Sequence, residues 1–281
     1  MPDDPAPSPG LTAPSFSIGT SFPLAPRGVN WRGMWTLYER EVRRFLGQRL
    51  ETVGAPVLTT LLFLAVFSMA LGRAGALVHG VPYLVFLAPG LAMMAMAQNA
   101  FSNTAQSIVT AKMQGNIVDL LMPPMGPLEL TLPIALGGVS RGLLVGCAVR
   151  LAMAVAVPFE MAHPAIVLFF ALSASLMLAF LGLMGGIWAL KHDHLAAVTS
   201  FVITPAAFLS GSFYSIERLP EFWQHLALAN PFFYMIDGFR YGFIGVSDGP
   251  VWVGMLVLLA ADLGLGLGAY LMFKSGYRLK S

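Results

Sequence analysis

The sequence predicts an all-α membrane protein with six transmembrane helices. An amphipathic helix precedes them, a short helix joins spans two and three, and two half-length helices lie between spans five and six. Three observations carry this prediction. Of 281 residues, 57% are hydrophobic and only 11% charged, whereas a soluble domain carries about 25% charged residues to coat its water-facing surface. Six stretches are mostly apolar over the ~20 residues a helix needs to cross the hydrocarbon core: about 54–72, 83–108, 132–157, 165–190, 195–213 and 251–273. Finally, lysine and arginine fall overwhelmingly on one side of the implied topology.

The chain opens on a proline-rich segment, residues 1–29, with Asp3 and Asp4 where a signal peptide would be basic and with no apolar run. It reads as a disordered cytoplasmic tail. Residues 30–53 follow as an amphipathic helix. Trp31, Trp35, Tyr38, Val42, Phe45 and Leu46 recur at helical spacing, with Arg32, Glu39, Arg40, Arg43 and Arg44 on the other side and Asn30 placed to cap the start. A basic helix bearing tryptophans and tethered to a span is expected along the inner membrane interface, in contact with lipid. Residues 54–281 form the transmembrane domain. Its second span is apolar first and polar later ("QNAFSNTAQS"), so its inner end is expected to project beyond the lipid or to line a wet cavity.

With the N-terminus inside, the inner segments hold Arg27, Arg32, Arg40, Arg43, Arg44, Arg49, Lys112, Lys191, Lys274, Arg278 and Lys280, eleven of the sixteen basic residues. The exterior holds Arg73, Arg218 and Arg240, and Arg141 and Arg150 fall within the third span. Both termini are therefore expected in the cytoplasm. The segment between spans five and six, "YSIERLPEFWQHLALANPFFYMIDGFRYGFIGVSDGP", is too apolar for a soluble loop. It predicts one short helix over 219–228, a break at Asn230-Pro231, and a second helix over 232–244. Re-entry into the outer leaflet and a flat interfacial placement both fit these lengths. Asp237 and Arg240 are spaced i,i+3 to pair.

Charges deep in a span cost ~2.5–3.5 kcal/mol each on the insertion scale. Arg141 lies nearer the inner end of span three, while Arg150 and Asp262 lie deeper at comparable height, and these two are expected to pair or to face a shared polar interior. Gly182/Gly186 and Gly264/Gly268 are small-xxx-small pairs that suit close helix packing. The net charge of +2 gives no reason to invoke nucleic acid. A phosphate-binding G-x-x-x-x-G-K-[ST] loop is absent, as are the G-x-S-x-G and H-E-x-x-H patterns. His192-Asp193-His194 sits two apart on a helix without a supporting cluster, which reads as a polar turn and not as a metal site. The lone Cys147 cannot form an intrachain disulfide. No catalytic, cofactor or metal residue is assigned, and no period of 20–50 residues or duplicated half marks an inverted-repeat carrier.

The segment "KMQGNIVDLLMPPMGPLEL" (112–130) joins spans two and three on the inner side. Its short helix, ended by Met122-Pro123-Pro124, fits both a leucine face resting on the membrane and insertion into a groove on a cytosolic partner. Here the sequence resembles the ABC type-2 transporter permease family. The family's glycine, then Asp/Glu-Leu-Leu, then a proline turn, then Pro-Leu-Glu is matched within 115–129. Its Ser-Gly-aromatic, Leu-Pro, Asn-Pro and aromatic-Arg series is matched within "FLSGSFYSIERLPEFWQHLALANPFFYMIDGFRYGFIG". The resemblance spans about residues 30–281 and is nearest to bacterial drug-and-polysaccharide-export permeases whose ATPase is a separate chain.

That resemblance implies a permease subunit without enzymatic activity in the bacterial inner membrane. It implies a homodimer of this chain with two copies of an ATPase that holds the ATP and magnesium. Gly115, Asp119, Leu120 and Leu121 would form the coupling helix docked on the ATPase. Spans two and five would line the path at the dimer interface, with Met94, Gln98, Asn99, Asn103, Thr204, Phe208 and Phe213 facing an amphipathic lipid, glycolipid, polysaccharide or drug cargo. A stand-alone carrier, an intramembrane enzyme and a non-transporting scaffold are the competing classes, and each would need no ATPase drive.

Overall fold

A computed structural model describes residues 28–278 apart from 49, 72–76, 156 and 158–160. Residues 1–27 of the expected tail, and Arg49, Arg73 and Lys280, lie outside the described residues. Helix α1 (Trp31–Gly47) starts where expected, with the Asn30 side chain accepting the Gly33 N–H. A π-turn over Leu50–Gly54 leads into α2 (Ala55–Leu71). A two-residue hairpin follows, β1 (Leu77–Val78) pairing antiparallel with β2 (Val81–Pro82) in the register Val78 opposite Val81. Its tip residues His79 and Gly80 both have positive φ, 50° and 79°, as the tight two-residue hairpin turn demands.

The long helices are α3 (Tyr83–Met113), α5 (Pro127–Met153), α6 (Pro164–Trp188) and α11 (Val251–Ser275), with α4 (Ile117–Leu121) between α3 and α5. Among the described residues, five helical runs are long and apolar enough to cross a membrane: Leu50–Ala70, α3, α5, α6 and α11. The run expected as span five is instead segmented into α7 (His192–Val198), a π-turn at Thr199–Ile203 and α8 (Thr204–Leu209). Pro205 supplies the cause. It lacks the N–H that would bond residue 201, and the ladder resolves by widening into a π-turn just before it. Pro56 stands in the same relation to the π-turn at 50–54.

Helices α3, α5 and α6 form the core, and small residues set their spacing. Gly138 and Gly142 of α5 abut Ala100 and Met96 of α3: a Cβ on Gly138 would meet the Ala100 carbonyl at 3.0 Å, and one on Gly142 the Met96 carbonyl at 3.0 Å. On the adjoining face of α3, a Cβ on Gly182 of α6 would overlap the Phe101 carbonyl, and one on Gly186 would come within 2.8 Å of the Ala105 carbonyl. Thr104 completes the seam by donating to the Ala179 carbonyl at 2.8 Å. Gly182/Gly186 is therefore a packing seam. Gly264 on α11 meets nothing.

Two further helices follow a 3-10 turn (Ile216–Arg218): α9 (Glu221–Leu228) and α10 (Pro231–Ile244). Their bounds agree with the expected 219–228 and 232–244, and Asn230 caps α10 by accepting the Phe232 N–H. The two differ in environment. Helix α10 packs among α3, α6 and α11, with Gly238 beneath the Phe170 ring, while α9 turns Phe222, Trp223 and Leu226 outward. The α10 carbonyls of Gly242 and Phe243 are taken by the backbone N–H groups of His163 and Ala162, which tie its end to the start of α6.

Candidate functional site

The end of the molecule that the sequence assigns to the inner side is built around α1. Its outward face carries Trp31 and Trp35, exposed by 71% and 65%, while Leu37, Glu41 and Phe45 face inward. Arg44, expected with the solvated arginines, turns inward with them. The Glu41 carboxylate is 1% exposed and lies 2.8 Å from the Arg44 guanidinium. It also accepts the Ser107 hydroxyl at 2.8 Å. Arg44 in turn donates to the Asn103 carbonyl at 2.8 Å and to its side-chain oxygen at 3.1 Å. Burial pushes the Arg44 guanidinium below its ordinary value and Glu41 pulls it back up; an arginine remains charged in either case. Gly137 makes room for this cluster, since a Cβ there would stand 2.6 Å from the Glu41 Cβ. The polar inner half of α3 is thus spent on α1 and α6, and only part of it borders a cavity.

A second link joins α1 to α5. Glu129 accepts the N–H of Gly126 and the N–H of Asn30, both at 2.7 Å, so one carboxylate holds the starts of α5 and α1 together. This gives the Pro-Leu-Glu element a structural task. Tyr38 and Ser140 add a hydroxyl contact of 2.8 Å.

The 112–130 segment departs from these anchors. Lys112 donates to the carbonyls of Gly186, Ile187 and Ala189 and so closes the C-terminal end of α6. Gly115 adopts φ +73° just past the end of α3, the left-handed position that favours glycine at a helix stop. Helix α4 then buries Ile117 and Leu120, the latter 2% exposed, and half-buries Leu121. Its outward side presents Val118, 55% exposed, Asp119, and Met122, 74% exposed. Of the residues the resemblance assigns to the coupling helix, Asp119 faces outward, Leu120 faces the chain's own core and Leu121 lies between. Adjacent helical residues point about 100° apart, and the chain uses Leu120 to hold α4 against its own core, with Leu121 packed beside it.

The candidate path residues separate into groups. Met94, Gln98 and Asn99 line one cavity of about 280 Å³ between α2 and α3, together with Glu51, Thr59 and Phe63. Asn103 does not reach it: the side chain is fully buried and held by Arg44. Phe213 is 5% exposed and packed between Phe67 (4.7 Å between ring centroids) and Phe208 (5.1 Å). Phe208 is itself half-exposed, and Thr204 is half-buried.

The intramembrane charges take partners other than those expected. Asp262 accepts the Ser173 hydroxyl from α6. The Arg150 guanidinium lies 5.7 Å from the Phe243 ring centroid on α10. No Arg150–Asp262 ion pair joins them among the described residues. Arg150 instead borders an apolar cavity of about 270 Å³ between α3, α5, α6 and α10, to which Cys147 and Met96 contribute. Arg141 is buried midway along α5. The Asp237–Arg240 pair forms at 3.9 Å, within a larger hub. Arg240 donates to the Gly211 carbonyl at 2.7 Å and stacks 3.8 Å from the Phe86 ring centroid, and Asp237 accepts the N–H groups of Asp248 and Gly249. His192, Asp193 and His194 form no metal-binding group among the described residues.

Sequence reasoning missed Glu41 and the α5 glycines. The signal for Glu41 was present: an acidic residue four positions from Leu37 and Phe45 interrupts an apolar row, and only a partner such as Arg44 makes that tolerable.

The profile of the family described as "ABC-2 type transporter" matches residues 32–244. The chain is 35% identical over 251 residues to the Inner membrane transport permease YadH of Escherichia coli (strain K12), covering 89% of this chain and 98% of that protein. It is 23% identical over 252 residues to Nodulation protein J of Rhizobium meliloti (strain 1021), covering 88% of each. To Nodulation protein J of Rhizobium leguminosarum bv. viciae it is 25% identical over 243 residues, covering 84% and 91%.

Proposed function

The chain belongs to the ABC-2 type transporter family, and on that premise we propose that it is the permease of an ATP-driven exporter that moves an amphipathic cargo across the bacterial inner membrane. It is a multi-pass membrane protein and a transporter component rather than an enzyme. In the proposed assembly it forms a homodimer served by two copies of a separate ATPase, which supplies ATP and magnesium. Both termini face the cytoplasm, and the segmented run 192–209 acts as the fifth of six crossings, its π-turn and Pro205 marking a flexible point beside the path.

One observation carries this reading. A short helix at the inner end presents Val118, Asp119 and Met122 outward while its Leu120 is locked into the bundle. Such an element can accept a push from outside and pass it on, because Gly115 joins it to α3, and α3 is fastened to α1 through Ser107–Glu41 and to α6 through Lys112. Changing a 1:99 balance of conformations to 99:1 takes ~5.5 kcal/mol of differential interaction, which closure of the ATPase pair around nucleotide would supply. The cavity bordered by Met94, Gln98, Asn99, Thr59 and Phe63 offers apolar walls with scattered amide and hydroxyl groups, the surface an amphipathic lipid-like or drug-like cargo requires.

The test is reconstitution in vesicles with and without an ATPase bearing a phosphate-binding loop. Flux of candidate lipids and drugs that depends on both chains and on ATP supports export. Flux by this chain alone indicates a carrier, and stable binding of the ATPase without any flux indicates a scaffold.

A further inference from the structure

An apolar cavity of about 270 Å³ lies between α3, α5, α6 and α10, apart from the one bordered by Met94, Gln98 and Asn99. It runs along the helices. Its wall extends from Leu143 to Met153 on α5, ~15 Å at the helical rise, and from Pro164 to Ala171 on α6. Gly146 admits the Met96 side chain, whose thioether lies where a Cβ would stand. With Met153 and Met161 it gives the wall a soft lining that adapts to an irregular apolar occupant. Cys147, Met161 and Leu168 belong to the lining and are exposed, so the cavity opens between α5 and α6. Both helices are long and apolar enough to cross a membrane, and the mouth between them therefore faces the bilayer.

Water gains little in such a space, because a buried water needs about two to four polar partners. The polar side-chain groups of the described lining are the Arg150 guanidinium and the Cys147 thiol. A hydrocarbon chain from the bilayer suits these walls better. Arg150 stands toward one end of the cavity, in the last turn of α5. Among the described residues of the lining it is the one charge, and that charge is positive. Its guanidinium lies 5.7 Å from the Phe243 ring centroid, and its five N–H donors let it serve a further partner beside those within the chain. A planar guanidinium grips a phosphate through two parallel bonds. A long apolar slot with a cation at the end nearer the membrane surface has the form of a phospholipid.

We propose that this cavity holds one acyl chain of an anionic membrane phospholipid, with the lipid phosphate on Arg150. The lipid is a fixed companion of the bundle and not its cargo. A net negative headgroup is preferred because no carboxylate stands beside Arg150 in the described lining. Helix α3 separates the two cavities, with Pro89 and Met96 on this side and Met94 and Gln98 on the other. A chain seated here backs the helix that walls the other cavity.

The experiment uses the full chain in a neutral maltoside detergent. Cys147, its one cysteine, is the reporter, and its alkylation by N-ethylmaleimide is followed by mass spectrometry. Dioleoyl phosphatidylglycerol should slow alkylation saturably, by about fivefold or more, as a site four-fifths filled requires. Dioleoyl phosphatidylcholine should slow it clearly less, and glycerol 3-phosphate, which has the phosphate without the chain, not at all. Arg150→Gln should abolish the preference for phosphatidylglycerol. Ala171→Leu, which fills the slot, should abolish protection by either lipid. Absence of protection, equal protection by the two lipids, protection by glycerol 3-phosphate, or a preference that survives Arg150→Gln each overturns the proposal. A rate that falls with protein concentration and ignores lipid identifies a second copy of the chain as the cover, and overturns it too. If the variants do not fold, cholesteryl hemisuccinate decides on the native chain. It charges the micelle without supplying a flexible chain, so it should give no protection, and slowing equal to that of phosphatidylglycerol overturns the site. No ATPase is present, so failure here leaves the export reading standing, and failure to bind an ATPase leaves the lipid site standing.

Discussion

Ser107 of α3 donates its hydroxyl to the Glu41 carboxylate of α1 across 2.8 Å. With the Arg44–Asn103 bonds beside it, this contact joins α1 to the helix that ends in the 112–130 segment. Because Arg44 shares the same carboxylate, removing Glu41 strands a largely buried cation. Breaking such a pair by removing one partner costs about 3–5 kcal/mol, and the partial exposure of Arg44 favours the lower figure. Glu41→Ala should lower thermal stability by about 3 kcal/mol, while Glu41→Gln, which still accepts from Ser107, should lose clearly less. Unfolding in detergent, followed by tryptophan fluorescence, checks both.

The two small-xxx-small pairs should behave differently. A methyl on Gly182 overlaps backbone and side-chain atoms of α3, and such overpacking costs about 1–3 kcal/mol. Gly264 faces open space, so an alanine there should leave stability unchanged or raise it by up to ~1 kcal/mol through helix propensity. Thermal unfolding and expression level of Gly182→Ala and Gly264→Ala measure this difference. Equal behaviour of the two would contradict the α3–α6 seam.

Arg240 holds its hub through a carbonyl, an aromatic face and two carboxylates. Lysine cannot reproduce a planar group that stacks and donates at once. Arg240→Lys should cost about 1–2 kcal/mol and Arg240→Ala about 3 kcal/mol or more. The sign with pH is fixed. Without the guanidinium, ionised Asp237 and Asp248 repel each other, so the deficit grows as pH rises and shrinks as acid protonates Asp237, whose carboxyl burial holds above its ordinary value, at about 6. Melts at pH 5 and pH 8 test this order.

Much of the architecture was legible because length and apolarity suffice for it: the long helices, the Asn30 cap, the α9–α10 break at Asn230-Pro231 and the Asp237–Arg240 pair all stand where the sequence puts them. What could not be read were choices between neighbours. Asp262 has both Ser173 and Arg150 within its chain's repertoire, and sequence spacing does not say which helix lies closer. Leu120 and Leu121 are equally apolar, and only the packing of α4 decides that Leu120 turns inward. The segmentation at 199–203 had a visible cause in Pro205, but the same proline residues are tolerated within α3 and α5 as Pro89 and Pro133, so proline alone does not mark the break. The hairpin at 77–82 is too short for a periodic signal, although His79-Gly80 has the turn chemistry.

Helix α4 gives the most direct test of the account. The native chain, Val118→Asp, Met122→Asp and Leu120→Asp should be co-purified with the partner ATPase, with thermal unfolding measured on the same samples. Outward docking predicts that Val118→Asp and Met122→Asp each weaken the complex by about 30-fold or more, the size of an interface hot spot, while the melting temperature is unchanged; Leu120→Asp should lower the melting temperature itself. If the Val118 and Met122 variants hold the ATPase as tightly as the native chain, this face is not where the drive enters, and the account is contradicted.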